Sequence, residues 1–452
     1  MSERFLLVKQ SQPLHGTVEL TGAKNAVLVI IASLLLAEGK STLYSVPNSA
    51  DVRCFIALMT ELGALVHFDV KLKALTIDTT MVNSIEVSPE IMNKMRASIL
   101  VMGPLLARFG KARVALPGGC LIGARPINYH LQGFRKLGVS LIEDKPFLSA
   151  SISTDSSNPI HDRVILEYPS VGATENLLMY ATLKPGETVI VNAALEPEVL
   201  DLIDILNKMG AKIYCEPGQL IRIIGVNKLN PVEHTVIPDR LEAGALLLAA
   251  CITKGSVHLP NARADHMDLF LEKLREMGHE VHVGTHQTPL LPLLGISLKA
   301  CQNPQGVSIK TGPYPGFPTD LQAPLMTAMA LSKDISTVEE TVFENRLMHV
   351  KELTKLGAQI TVEGQKATIR GVEKLYGTEL IATDIRASCG LALAGLIAIG
   401  ETKIGGVHHW ERGYDKLEEK LRFMGGNINL IEASNIDNLM LPNGELLKKR
   451  IA

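Results

Sequence analysis

The chain predicts an α/β fold assembled from six copies of one repeat, with apolar helices inside and sheets outside. Three observations carry this expectation. First, a leucine or methionine followed by glycine recurs six times, at Leu62-Gly63, Leu137-Gly138, Met209-Gly210, Met277-Gly278, Leu356-Gly357 and Met424-Gly425, at intervals of 68 to 79 residues. Each copy ends a polar helix and precedes an apolar strand, as expected for a glycine C-cap with positive φ. Six caps at similar spacing mark a duplicated unit. Second, each repeat holds an alanine-rich helix that is apolar on nearly all sides, as in Leu246-Leu247-Leu248-Ala249-Ala250 and Leu391-Ala392-Leu393-Ala394. A helix without a polar face is buried all round. Third, a strand follows each such helix, for example over 42–46, 113–116, 188–191 and 256–259.

Taken in order, the inner helices begin near Lys24, Lys94, Ala173, Arg240, Leu321 and Ile385, and each repeat reads helix, strand, amphipathic helix, strand, strand. Composition supports large cores: 46% of the 452 residues are apolar and only 4% aromatic, so alanine and leucine do most of the filling. The formal net charge of -2 gives no sign of a nucleic-acid or membrane binder. The longest apolar stretch, 26–37, is shorter than the ~20 residues that span a bilayer, and the charged start lacks a signal-peptide core. The six cysteines (Cys54, Cys120, Cys215, Cys251, Cys301, Cys389) form no C-x-x-C pair, which favours a reducing compartment over a zinc site or disulfide framework. A cytoplasmic protein is expected.

Two features point to chemistry. The tract Pro117-Gly118-Gly119-Cys120-Leu121-Ile122-Gly123-Ala124-Arg125-Pro126 places a thiol on a glycine-rich loop near an arginine. Most cysteines are small buried hydrophobes, but here the neighbours are glycines and a charge, conditions that favour a functional thiol. The inner-helix starts carry Lys24 and Asn25, Arg96 with Ser98, Ser170 with Thr174, Asp239 with Arg240 and Glu242, Thr319 with Asp320, and Asp384 with Arg386. Capping accounts for Thr319, Asp320 and Asp384. Cations oppose the positive end of a helix dipole, so Lys24, Arg96 and Arg386 are better explained by a shared anionic ligand.

These residues resemble those of a known family. Gly22-Ala23-Lys24-Asn25-Ala26, Met95-Arg96-Ala97-Ser98, the cysteine tract, Ser170-Val171-Gly172-Ala173-Thr174, Pro238-Asp239-Arg240, Phe317-Pro318-Thr319-Asp320-Leu321-Gln322-Ala323, Phe343-Glu344-Asn345-Arg346, Thr383-Asp384-Ile385-Arg386-Ala387 and Arg412-Gly413-Tyr414 are similar to those of the UDP-N-acetylglucosamine 1-carboxyvinyltransferases, enolpyruvyl transferases of peptidoglycan precursor synthesis. The resemblance spans about residues 5–430. It implies two inside-out α/β barrel domains of three repeats each, over 22–235 and over 1–21 with 236–452, the chain crossing near residues 21 and 235. The N-terminal strand would join the C-terminal domain, and the cleft between the domains would hold both substrates and close on binding.

The implied reaction moves the enolpyruvyl group of phosphoenolpyruvate to the 3-hydroxyl of the sugar, with release of phosphate, through a tetrahedral ketal. By resemblance Cys120 is the general acid, Asp320 takes the hydroxyl proton, and Lys24, Arg125 and Arg412 grip phosphoenolpyruvate; an arginine fork suits carboxylate and phosphate. Arg96 belongs to the same positive field and to nucleotide-sugar binding. Asn25, Arg125, Pro126, Ile127, Asn128, Tyr129, Ser170, Val171, Asp320 and Val342 match the nucleotide-sugar positions. Asp384 and Arg386 would support them from behind. No cofactor or metal is expected, and the partners are the two small-molecule substrates, with no nucleic acid, no membrane and at most weak self-association of a monomer.

Some positions depart from the pattern. Tyr168 stands where some members carry a lysine. Residues 285–308 look like an added irregular surface loop or an exposed apolar contact, and 431–452 like an added tail. Glu196 and Glu198 would either sense closure or sit on a solvated helix start. His408 and His409, read as strand neighbours pointing opposite ways, argue against a metal there. Three other functions compete. A shikimate-type enolpyruvyl transferase lacks the cysteine lid. A silent paralogue that binds the UDP-sugar and regulates a partner predicts loss of Cys120, Asp320 or Lys24. A repeat scaffold leaves the cations unexplained.

Overall fold

A computed structural model describes residues 4–92, 95–115, 127–152, 162–284 and 295–432, the side chains of 92 and 96 excepted. The chain divides into two compact units, the first within 21–239 and the second comprising the N-terminal segment to residue 20 and the chain from residue 240 onward.

Among the described residues the first unit contains three four-stranded sheets and the second three more, all built alike. In one example, the short strand Arg163–Ile165 runs parallel to Glu187–Val191, which pairs antiparallel with Leu220–Ile224, and that strand forms a hairpin with Lys212–Glu216. The inner helices of the first unit are Lys24–Ser33, Met102–Phe109 and Val171–Ala181. Those of the second are Arg240–Ile252, Gln322–Met329 and Ile385–Gly395. They are buried almost throughout, and the three of the second unit pack on one another. Each unit is therefore an inside-out α/β barrel of three repeats. The six cap glycines have φ between 85° and 106°, left-handed backbone that a side chain would strain.

The repeat carries one element more than the sequence pattern indicates: a leading strand of two or three residues, such as Glu86–Val87 or Ser308–Lys310, parallel to the strand that follows the inner helix. Strands so short show no alternation to read. Three sheets take a strand from elsewhere in the chain. Glu233–Thr235 serves as the leading strand beside Lys40–Tyr44 in the first unit, and His15–Thr17 does so beside Ser256–Leu259 in the second. Arg4–Lys9 lies between Glu401–Gly405 and Ile428–Glu432 in the last sheet, burying Phe5, Leu6 and Val8.

Several expectations need correction. The strand expected over 42–46 runs over Lys40–Tyr44, and Ser45, at φ 62°, turns the chain out of it. The second inner helix does not run as one α-helix from Lys94: residues Arg96–Val101 are 3-10 helix and α-helix begins at Met102. Asn176 of the neighbouring inner helix fills the break. Its Oδ1 accepts from the Gly103 amide at 2.6 Å and its Nδ2 donates to the Ile99 carbonyl at 2.9 Å, standing in for the missing four-residue backbone bond. A side chain on Gly103 would strike the Asn176 carbonyl. Residues 285–308 are not one irregular loop, because Gly295–Lys299 is an internal strand, paired on both sides, with Ile296 and Leu298 buried; 285–294 lie outside the described residues. Of the tail, Ile431 and Glu432 finish a strand and the rest lies outside the description. His408 and His409 sit on the helix Val407–Gly413, not on a strand, with ring centroids 3.9 Å apart. Among the described residues no helix is long and apolar enough to cross a membrane.

Candidate active site

In the second unit the candidate residues Asp320, Asp384 and Arg386 gather at the starts of two inner helices. Asp320 lies in the 3-10 turn Thr319–Leu321 that leads into Gln322–Met329. Neither Thr319 nor Asp320 caps that helix, contrary to the capping expectation. The Asp320 side chain, a quarter exposed, instead accepts from two guanidiniums: Arg346 Nη2 reaches Oδ1 at 2.6 Å and Arg386 Nη2 reaches Oδ2 at 2.9 Å. Both arginines are 5% exposed or less, so the pairs are poorly screened. Burial alone would push the Asp320 carboxyl up; Arg386 and then Arg346 outweigh it and hold it well below the usual carboxylate range.

Asp384 does cap its helix, its Oδ1 accepting from the amides of Arg386 and Ala387 at 2.8 and 3.0 Å. Arg386 also donates through Nη1 to the hydroxyl of Tyr414 at 3.1 Å. Burial pushes the Tyr414 phenol well above its ordinary value, so it stays neutral. Arg412 sits half-buried on the helix Val407–Gly413, beside His409, whose imidazole burial pushes down to about 4. Val342 is half-buried, and its amide donates to Glu340 at 2.9 Å.

In the first unit Lys24 opens its inner helix. Its amide donates to Asp239 Oδ2 at 3.3 Å, and the Nζ of its side chain, which is 11% exposed, lies 3.4 Å from Asp51 Oδ2. The cations at these helix starts are thus answered in part by protein carboxylates, Lys24 by Asp51 and Arg386 by Asp320, as well as by any ligand. Asn25 is half-buried on the next position. Ser170 caps Val171–Ala181, its Oγ accepting from the Ala173 amide at 3.4 Å, which leaves Val171 in the first turn. Ile127 precedes the helix Asn128–Lys136, on which Asn128 is exposed and Tyr129 half-buried. Tyr168 is half-buried, and its carbonyl accepts from the Ser170 amide at 2.7 Å.

Glu196 and Glu198 do not form a solvated helix start. Glu198 is buried in the first turn of Pro197–Lys208, and with Glu196 it acts on Glu175, another buried acid. Burial first, then these two neighbours, raises the Glu175 carboxyl well above its ordinary value. Arg96 begins its 3-10 helix. Cys120, Arg125 and Pro126 lie outside the described residues.

A grouping with metal-ligand spacing, Asp201, Asp204 and His234, also lies in the first unit. Lys208 Nζ already stands there, 2.6 Å from Asp204 and 3.3 Å from His234 Nδ1, and supplies the positive charge itself. Sequence reasoning passed over Arg346 as a site residue, although the Phe343-Glu344-Asn345-Arg346 run was visible. It also passed over Asp51 and Glu340, for which no local signal exists.

A model of the EPSP synthase (3-phosphoshikimate 1-carboxyvinyltransferase) family matches residues 8–421. The enolpyruvyl transferase NikO from Streptomyces tendae shares the fold at a TM-score of 0.85, with 22% identity over 96% of this chain and 100% of that one. An EPSP synthase from Acinetobacter baumannii shares it at 0.72, with 17% identity over 95% of this chain and 100% of that one. Fold and family model together define the class as that of the carboxyvinyltransferases. Nearer relatives narrow it. UDP-N-acetylglucosamine 1-carboxyvinyltransferase 1 of Caldanaerobacter subterraneus subsp. tengcongensis is 46% identical over 95% of this chain and 99% of its own length. UDP-N-acetylglucosamine 1-carboxyvinyltransferase of Geobacter metallireducens is 43% identical over 94% and 99%. The chain belongs to the UDP-N-acetylglucosamine 1-carboxyvinyltransferase family.

Proposed function

We propose that this protein transfers the enolpyruvyl group of phosphoenolpyruvate to the 3-hydroxyl of UDP-N-acetylglucosamine and releases phosphate, the first committed step toward peptidoglycan. The observation that carries this is the match, along nearly the whole chain, to relatives named for that reaction. The Asp320 clamp and the cationic helix starts are consistent with it. The protein works in the cytoplasm, as a monomer or weak homo-oligomer, without metal or cofactor.

The chemistry needs an acid, a base and cations. The Cys120 thiol gives a proton to the methylene carbon of phosphoenolpyruvate as the sugar oxygen bonds to the adjacent carbon. Asp320 accepts the hydroxyl proton. The resulting ketal carries the sugar oxygen, the phosphate oxygen, the carboxylate and a new methyl group. Cleavage of the bond to the phosphate oxygen, with one methyl proton returned to the Cys120 thiolate left by the first step, restores the double bond and frees phosphate. Lys24, Arg125 and Arg412 neutralise the phosphate and carboxylate through both steps, while Arg96 and residues 25, 125–129, 170–171 and 342 hold the nucleotide sugar. Paired with two guanidiniums, Asp320 is ionised but weakly basic. It therefore takes the proton late, once carbon–oxygen bonding has made the hydroxyl acidic.

Phosphate release from phosphoenolpyruvate, measured with UDP-N-acetylglucosamine, with shikimate 3-phosphate and with neither, tests the assignment. Release that depends on the nucleotide sugar alone is expected. Release with shikimate 3-phosphate points to the related class, and none at all to a binding paralogue.

A further inference from the structure

A second buried acid stands behind Asp320, and its proposed role rests on Asp320 being the proton acceptor. Glu340 follows the strand Ile335–Glu339 and is fully buried. Its Oε1 accepts from the Thr311 hydroxyl at 3.0 Å and from the amides of Val342 and Phe343 at 2.9 and 3.2 Å. Its Oε2 accepts from the Thr319 hydroxyl at 2.9 Å. All four donors are neutral, so the carboxylate is held by hydrogen bonds from three separate stretches of chain.

The polarity of this junction is fixed. Thr319 has one hydroxyl hydrogen, and Glu340 takes it. The threonine oxygen is then an acceptor toward Arg346 Nη1 at 3.2 Å, while Nη2 of the same guanidinium pairs with Asp320 at 2.6 Å. We propose that Glu340 is a positioning residue for the transfer reaction: it orients the Thr319 hydroxyl, through it the Arg346 fork, and through that the Asp320 carboxylate. The same carboxylate holds the Val342–Phe343 amides, so the nucleotide-sugar contact at Val342 and the base share one frame.

Glu340→Gln tests this with little change of shape. Its carbonyl can keep the three donors on one side, but its NH2 then faces Thr319, whose oxygen meets two donors and whose hydroxyl hydrogen loses its acceptor, so the Arg346 fork is no longer held by a fixed hydroxyl. Thr319→Val removes the link directly, and Thr319→Ser restores it. Glu340→Gln and Thr319→Val should each lower kcat by about tenfold or more, with the KM for UDP-N-acetylglucosamine little changed in Thr319→Val. In both, the acid limb of the kcat–pH profile should move to higher pH as Asp320 loses part of its guanidinium support. The double variant should be no worse than the poorer single one, and Thr319→Ser should behave as wild type. If Glu340→Gln does not accumulate in folded form, Thr319→Val carries the test. Wild-type kcat and an unshifted acid limb in Thr319→Val would overturn the proposal. Asp320→Asn, run alongside, separates the two ideas. If it is inactive while those profiles stay unshifted, only the role of Glu340 fails; if it turns over normally, the role of Asp320 fails as well.

Discussion

Asp320 meets Arg346 at 2.6 Å and Arg386 at 2.9 Å, and both guanidiniums are almost fully buried. Removing the carboxylate leaves two buried charges facing each other, so Asp320→Asn should cost stability as well as turnover, about 3 kcal/mol by analogy with other broken buried pairs. The linkage has a definite sign. The folded carboxyl titrates below its unfolded value of roughly 3.9, so its contribution is complete above that pH and is lost as pH falls toward the folded value. Acid titration of unfolding should therefore show a steeper loss below about pH 4 in wild type than in Asp320→Asn. Thiol chemistry offers a second test. Burial raises the Cys251 thiol well above its ordinary value and that of Cys389 to about 11, so neither supplies thiolate near neutrality. An epoxide mimic of phosphoenolpyruvate should alkylate Cys120, faster with the UDP-sugar present, and Cys120→Ser should lose turnover but keep UDP-sugar binding. Peptide mapping that finds all six thiols labelled equally would contradict a privileged cysteine. At this scale the sequence showed Asp320, Lys24 and Arg386 by their places at helix starts. It hid Glu340 and Asp51, because their partners come from distant segments that no local spacing connects.

Helix ends and inner helices were legible for a simple reason: each uses a signal that is local. The six glycines end their helices at positive φ, and the alanine-rich stretches are buried on all sides. The leading strands and the break at Arg96–Val101 were not, because their stability comes from neighbours: a parallel strand in one case, the Asn176 amide in the other. One histidine just past a cap glycine carries a prediction. His279 is buried, its Nδ1 accepts from the Cys301 amide at 3.1 Å, and burial pushes its imidazole down to about 4. The unfolded chain binds that proton more readily, so stability is full above roughly pH 6.5 and falls as pH drops toward about 4. His279→Gln should reduce this dependence by about 3 kcal/mol at most, since each unit of pKa difference is worth ~1.4 kcal/mol. His349 and His409, likewise pushed down to about 4 by burial, keep the remainder of the slope. Denaturant melts at pH 4.5 and 7 (chosen at about the two ends of that window) measure it; an unchanged slope in the variant would show that His279 is not responsible.

The whole chain is organised by which sheets its ends complete. Arg4–Lys9 occupies an internal position in the last sheet of the second unit, and without it Glu401–Gly405 and Ile428–Glu432 face an empty place. Deleting residues 1–10 should therefore abolish folding of the second unit and lower soluble yield sharply, which limited proteolysis would report. The register carries this further. Arg4 stands directly opposite Glu432 in an antiparallel pair, so a tight turn could weld the start of the described chain to its finish. A continuous loop of polypeptide would then have no preferred opening, and new termini could be cut at the exposed hairpin bend at Gly364, far along the sequence from the weld.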